Sequence, residues 1–225
     1  MTVRNAVLEA YARYGFWKTL ARILRKAQRC FFDTNSSFWL ERELIKPLPY
    51  LKPGLPVTVN FFAGEETIEW LKKHTEKWAY NPRELRLAKE EGHVYVNITY
   101  TGEIVGYIKL GFNRIYIEDF KSVLCFPPHC AFIYDSWVKG EFRNKGIRSF
   151  AYGEIINFLK ERGFSKVASH IPPWNKASRK VSAKIGAAEV FYIRFFRLFC
   201  FLRMWSIKNL KTGKVALHTS FPQLY

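Results

Sequence analysis

Apolar positions recur every three or four residues between 3 and 29, at Val7, Tyr11, Tyr14, Trp17, Leu20, Leu24 and Ala27, which predicts one amphipathic helix. Its other faces carry Arg4, Arg13, Lys18, Arg22, Arg25, Lys26 and Arg29. A basic helix with Trp and Tyr at its apolar edge either packs its stripe on a domain or lies in the interface of an anionic membrane. Pro47, Pro49, Pro53 and Pro56, around Gly54, then end regular structure and mark a hinge. Residues 1–56 are therefore expected to form an N-terminal helical extension with a proline-rich connector, and residues 57–225 the main domain.

Within that domain the period changes repeatedly. Val57 to Phe62 is β-branched and aromatic, as a strand requires, and Thr67 to Trp78 has helical spacing. Asn81-Pro82 opens a short helix that ends near Gly92. His93 to Tyr100 and Glu103 to Leu110 alternate on either side of Thr101-Gly102, which predicts a hairpin. Arg114 to Phe120 reads as an extra strand and Ala131 to Lys139 as another. A helix follows from Gly146 to Arg162, then a strand from Lys166 to His170. Pro172-Pro173 breaks the chain, and Asn175 caps a helix running to Ile185. Glu189 to Phe199 and Leu202 to Ile207 are strand-like, and 210–213 turns into a last short strand. No internal repeat is visible, and the alternation of strands and helices predicts an α/β class.

With 48% hydrophobic residues among 225, the chain has enough apolar surface to offset its conformational entropy, which excludes a disordered protein. Charge adds a constraint: 36 Lys and Arg against 19 Asp and Glu leave +17, so an anionic partner is expected, whether nucleic acid, acidic lipid or a phosphate-bearing cofactor. Cys30, Cys125, Cys130 and Cys200 lack paired zinc spacing and read as free thiols, and the run from Cys125 through His129 to Cys130 matches no metal motif, so no metal is expected. No signal-peptide pattern is seen. The aromatic stretch from Val190 to Trp205 is interrupted by Arg194, Arg197 and Arg203, so it does not read as a spanning helix. A cytoplasmic protein, free or peripherally attached to a membrane, is the expectation.

The chemistry concentrates between a strand and a helix, in Arg143, Asn144, Lys145, Gly146, Ile147, Arg148 and Ser149. A loop that leads into a helix start aims backbone N–H groups at an anion, Gly146 allows close approach, and the three cations suit a pyrophosphate. Arg143 and Gly146 fill the first two fixed positions of the acetyl-CoA signature of the GNAT acyltransferase superfamily, which this segment resembles. The likeness continues in the run from Phe158 through Gly163 to Phe164, in 175–178 and in 184–186, and the element order matches the family's over about 57–207. The resemblance implies a GNAT-like mixed, mostly antiparallel central sheet flanked by helices, and acetyl-CoA or another acyl-CoA as co-substrate. It also implies that the fourth and fifth strands of the family part, with the pantetheine arm in the gap. Trp137, Val138 and their neighbours would then contact pantetheine through the backbone, 143–149 would cradle the pyrophosphate, Asn175 would bond to the pantetheine arm, and Ser178 would lie nearby.

Three departures accompany the resemblance. Arg148 stands where the signature has Gly or Ala, and it either pairs with phosphate or marks lost cofactor binding. The family's proton-donating tyrosine falls at Ser182, a weak acid, for which Tyr192 or Tyr134 are the alternatives. At the start of the fourth strand, where several members carry a carboxylate, the chain has His129 and Cys130; His129, His170 and Asp135 are the candidate bases, and Cys130 is a candidate nucleophile. The implied reaction is direct attack of a primary amine on the thioester in a ternary complex. The acceptor is a small-molecule amine, such as an amino sugar or a nucleotide-linked sugar, or a protein amine. The competing expectation is a catalytically impaired binding module of the same fold that holds nucleic acid or an acidic membrane by its charge.

Overall fold

The computed structural model describes residues 32–48, 51–63, 82–199 and 202–220. The helices expected over 3–29 and 67–78, and Cys30 and Cys200, lie outside them. The described strands are β1 (Phe32–Glu43), β2 (Thr58–Ala63), β3 (Val94–Tyr100), β4 (Glu103–Gly111), β5 (Arg114–Ile117), β6 (Ser122–Cys125), β7 (Cys130–Val138), β8 (Lys166–Ile171), β9 (Ala188–Leu198), β10 (Leu202–Asn209) and β11 (Val215–His218). The helices are α1 (Pro82–Glu90), α2 (Ile147–Glu161) and α3 (Lys176–Lys184). Nine strands form one sheet in the order β11-β10-β9-β1-β8-β7-β4-β3-β2, antiparallel except for the β7–β8 pair. Strands β5 and β6 make a separate hairpin. The β3–β4 turn has positive φ at both Thr101 and Gly102, the combination that matches strand twist in a two-residue hairpin loop.

Each face of the sheet has its own core. On one face Val96, Ile98, Ile108, Leu110 and Ile133 meet Ile147, Ala151, Ile155 and Leu159 of α2. On the other, Trp39, Phe132, Ala168, Phe195 and Trp205 pack under Ile115, Ile117, Phe120 and Leu124 of the β5–β6 hairpin. Apolar layers on both faces explain why the middle strands read as nearly continuous hydrophobic runs.

Two features differ from the boundary expected at residue 56. The twelve-residue strand β1 lies inside the sheet, paired with β8 from Phe38 onward and with β9 along almost its whole length. Its Asp33-Thr-Asn-Ser-Ser37 stretch has turn-like composition, and the ladder bonds offered by β9 override that local preference. The proline-rich stretch does not act as a free hinge. Leu48, Leu51 and Leu55 pack on the α2-side core, and the Gly54 N–H donates to the Lys145 carbonyl at 2.7 Å.

The end of α3 is equally constrained. Gly186 has φ +80°, and a Cβ there would sit 2.5 Å from a terminal nitrogen of Arg42. That guanidinium is buried and donates to the carbonyls of Lys46 and Pro47. Gly186→Ala is therefore expected to destabilise the fold by about 2 kcal/mol, combining left-handed strain with loss of the Arg42 anchor. A denaturant titration that found the variant as stable as wild type would refute this.

Candidate active site

The parallel ladder between β7 and β8 runs from Cys130↔Lys166 to Ile133↔Ser169 and stops there. Its cause lies on the opposite edge of β7. The β4 ladder goes from Lys109↔Asp135 to Leu110↔Ile133, so Tyr134 is an extra, bulged residue. A bulge bends its strand and increases twist, which turns β7 away from β8 just beyond Ile133. From Tyr134 to Val138, β7 keeps its β4 partner on one edge while the edge toward β8 lacks a strand partner. An extended chain with amide groups can add there as a strand.

The gap opens into a cavity of about 170 Å³ lined by side chains from both faces of the sheet. That volume is below the roughly 300–1,000 Å³ of pockets enclosing a compact ligand, and it suits a thread-like guest. Arg148, Tyr152, Asn175 and Ser178 line the side carrying α2 and α3; Asp119, Tyr134, Asp135 and His170 line the remainder. Arg148 crosses the first side. Its Nη1 donates to Ser178 Oγ at 2.7 Å, and its Nε and Nη2 donate to the Tyr152 hydroxyl at 3.2 and 2.8 Å. These partners are neutral, and no carboxylate among the described residues pairs with Arg148, so its charge remains available to an anion.

The start of α2 makes the same demand. Its N-cap is Gly146, at φ +71°, with no side-chain cap and no acidic residue in the first turn. The first-turn N–H groups of a helix lack intrahelical partners and carry the positive end of its dipole, so they favour an anion in front of them. Lys145 lies beside this end, with its ammonium 5.4 Å from the Phe142 ring. Arg143 turns back instead, its Nε donating to the Val138 carbonyl at 2.9 Å, and thereby shapes the loop. Asn144 takes a left-handed φ of 62° within it.

On the β5–β6 side two polar clusters face the gap. His170 is buried, with Nε2 3.1 Å from Asp119 Oδ2 and its ring stacked on Phe132. The hydrogen bond from His170 outweighs burial and holds the Asp119 carboxyl below its ordinary pKa, so Asp119 is the acceptor and Nε2 carries the proton. Nδ1 is then the basic nitrogen, and it is buried without a hydrogen-bond partner. The second cluster is a row across the sheet, Tyr95↔Lys109↔Asp135. The buried Lys109 ammonium lies 2.7 Å from Glu84 of α1 and 3.5 Å from Asp135, among the rings of Tyr95, Tyr107 and Tyr134. Tyr107 donates to Asp135 at 3.1 Å. Burial first, and neighbouring carboxylates or Tyr95 second, keep all three phenols protonated well above the usual tyrosine range.

Of the residues singled out in the sequence, Asp135, His170, Tyr134, Arg148, Asn175 and Ser178 line one cavity. Ile147 and Ser149 are buried in the first turn of α2, and Val138 and Trp137 end β7, where Trp137 stacks on Tyr107 at 6.0 Å. Asn175 also caps α3 by accepting from the Ser178 N–H at 3.1 Å. The others stand elsewhere. His129 is exposed at the far end of the β7–β8 ladder, four residues and about 13 Å of strand before the gap. Cys130 is a buried free thiol in the core under the hairpin. Ser182 is buried on α3 and Tyr192 pairs with Phe38 on β9, and neither lines the cavity. Among the described residues no group of three or more His, Cys, Asp or Glu could hold a metal ion. Sequence reasoning missed Tyr152, although its i+4 spacing from Arg148 is a usable signal. It also missed Asp119, whose partner is 51 positions away and which no local pattern reveals.

No curated protein sequence matches the chain. Among solved structures it is similar to an aminoglycoside acetyltransferase from an uncultured soil metagenomic sample, at 13% identity, covering 58% of this chain and 87% of that one with a TM-score of 0.42. It is similar to a ribosomal-protein-alanine N-acetyltransferase from Brucella melitensis biovar Abortus 2308, at 16% identity, with 59% and 92% covered and a TM-score of 0.41. It is also similar to an acetyltransferase of the GNAT family from Novosphingobium aromaticivorans, at 13% identity; the match covers 72% of this chain and 63% of that one, with a TM-score of 0.48. The model of the Acetyltransferase (GNAT) family matches residues 59–187, which spans β2 to the end of α3 and includes the parted strands and the α2 loop. More than half of the chain is matched, and the protein belongs to the GNAT acetyltransferase family.

Proposed function

We propose that this protein transfers an acyl group, acetyl in the first instance, from acyl-CoA to a primary amine of a small molecule by direct attack in a ternary complex. The observation that carries the reading is the gap between β7 and β8, which runs through the sheet from an uncapped, cationic helix start to a pair of polar clusters. The pantetheine amides add to the open edge of β7, while the α2 N–H groups and Lys145 hold the pyrophosphate. The acceptor amine approaches on the side of the hairpin. Asp135, held by Tyr107 and Lys109, attracts the amine, and the His170–Asp119 pair, which lines the gap, takes up its proton. Aligning amine and thioester in one narrow channel supplies much of the acceleration.

Tyr152 takes the role that Ser182 is too distant to fill. Its oxygen accepts from Arg148 at 2.8 Å and lies 3.4 Å from Ser136 Oγ, a pair in which either hydroxyl can donate. The amine nitrogen forms its bond to the carbonyl carbon, the carbon–sulfur bond breaks, and the thiolate takes the Tyr152 proton while Arg148 stabilises the phenolate.

Calorimetry with acetyl-CoA, followed by thiol release in the presence of amino sugars, other small amines and peptide amines, tests this reading. Micromolar binding and amine-dependent release are expected. Tyr152→Phe is expected to slow release ten- to a hundredfold at unchanged acetyl-CoA affinity. A folded protein that binds neither acetyl-CoA nor longer acyl-CoAs would overturn the proposal.

A further inference from the structure

We propose that the outer face of the β1–β9–β10–β11 end of the sheet docks on an anionic lipid bilayer. Its composition follows from strand register. Phe32 pairs with Leu198 and Leu198 with Leu202; Thr34 aligns with Phe196 and Met204; Ser36 aligns with Arg194, Ser206 and Leu217; Phe38 aligns with Tyr192, Lys208 and Val215. Directly paired residues share a face, so these side chains form one lattice.

Alternation sends Ile193, Phe195, Trp205 and Ile207 to the opposite face, where they are buried beneath the β5–β6 hairpin. The lattice itself stays open. Phe32, Leu198, Leu202, Met204, Val215 and Leu217 are 43%, 41%, 50%, 38%, 59% and 65% exposed. A contiguous apolar group of this size on a protein surface marks an interaction site. Its charged members are Arg194 and Lys208, both exposed, and it holds no Asp or Glu; Lys211 and Lys214 extend the positive rim at the β10–β11 turn.

Charge selects the occupant. Exposed Leu198, Leu202, Met204, Val215 and Leu217 beside cations match the acyl boundary and headgroups of an anionic bilayer, whereas a nucleic-acid duplex is held mainly through its phosphates and would leave these aliphatic side chains in water. A two-fold pair of copies would press this positive patch against its own image, with no carboxylate on the lattice to offset Arg194 and Lys208. The sequence before Phe32 carries Arg4, Arg13, Lys18, Arg22, Arg25, Lys26 and Arg29 among Trp17 and its apolar stripe, the same pairing of cations with apolar residues.

The test is cosedimentation of the full chain with phosphatidylcholine vesicles, with and without phosphatidylglycerol. Binding only to the anionic vesicles, weakened by salt, is expected. Leu202→Ser combined with Leu217→Ser is expected to lower the partition coefficient at least tenfold while leaving thermal stability intact. Arg194→Glu combined with Lys208→Glu should do the same through charge. The proposal is overturned if anionic vesicles do not bind the wild type, or if both double variants bind as the wild type does. A dimer in solution that the serine pair converts to a monomer would instead assign the face to a second copy and would also overturn it.

Discussion

Gly146→Val is expected to weaken acetyl-CoA binding about a hundredfold or more, equivalent to roughly 2.7 kcal/mol, in a calorimetric titration. Three constraints meet at this residue. Its φ of +71° lies where a β-branched residue is strained, and a Cβ would stand 3.3 Å from the Lys52 carbonyl oxygen. It is also the N-cap of α2, so relief of the strain rotates the first-turn N–H groups away from the pyrophosphate. The adjoining 51–55 segment bonds to the loop through Gly54 and Lys145, which prevents the loop from simply moving outward. The fifteen-residue helix and its core should survive, so the circular dichroism spectrum is expected to stay close to wild type. Unchanged affinity in a folded variant would remove the phosphate from the start of α2.

The second large effect is expected at His170. On the proposed reading, His170→Ala should lower kcat/KM for the amine by about 10²–10³ while leaving acetyl-CoA affinity near wild type, because the ring lines the gap on the side of the hairpin, away from the start of α2. Asp119→Ala should give a smaller loss, since it removes the tautomer lock and retains the base. The loss at His170 should shrink with acceptors of low pKa, which arrive already deprotonated; equal losses for all amines would indicate a packing role for the ring. The dyad also carries a pH signature. Asp119 has a depressed pKa in the folded state, so its contribution to stability is present above the ordinary carboxylate range and is lost as pH falls through the lowered value. The stability difference between wild type and Asp119→Asn should accordingly decline below about pH 4.

The end of the site proposed to hold phosphate was readable because it is local. Arg143, Gly146 and Arg148 lie within six consecutive positions, and Asn175 announces its own helix three residues before the N–H it caps. The basic cluster and the helix period together predict an anion at the start of α2. What Arg148 does was not readable, since its partners Tyr152 and Ser178 belong to two helices whose separation depends on packing. The acceptor end was partly readable: Asp135 and His170 were candidates by type. His129 had equal standing on type alone, and only the extent of the β7–β8 ladder separates it from them.

Period and punctuation by themselves determined most of the described elements, from β2 to β11, because alternation, helical spacing and Gly or Pro breaks act over a few residues. Tertiary structure decided the rest. Strand β1 exists as a strand because β9 offers ladder bonds along its polar first half and β8 joins on the other side from Phe38, a gain that its polar sequence does not encode. The bulge at Tyr134 arises from pairing with β4, and it opens the gap on which the whole site depends. Asp119 reaches His170 because the β5–β6 hairpin buries its own apolar face against Trp39, Phe132 and Phe195. Local patterns record what a segment does with its immediate neighbours, whereas these three outcomes depend on burial and pairing between segments, which are settled only when the sheet closes.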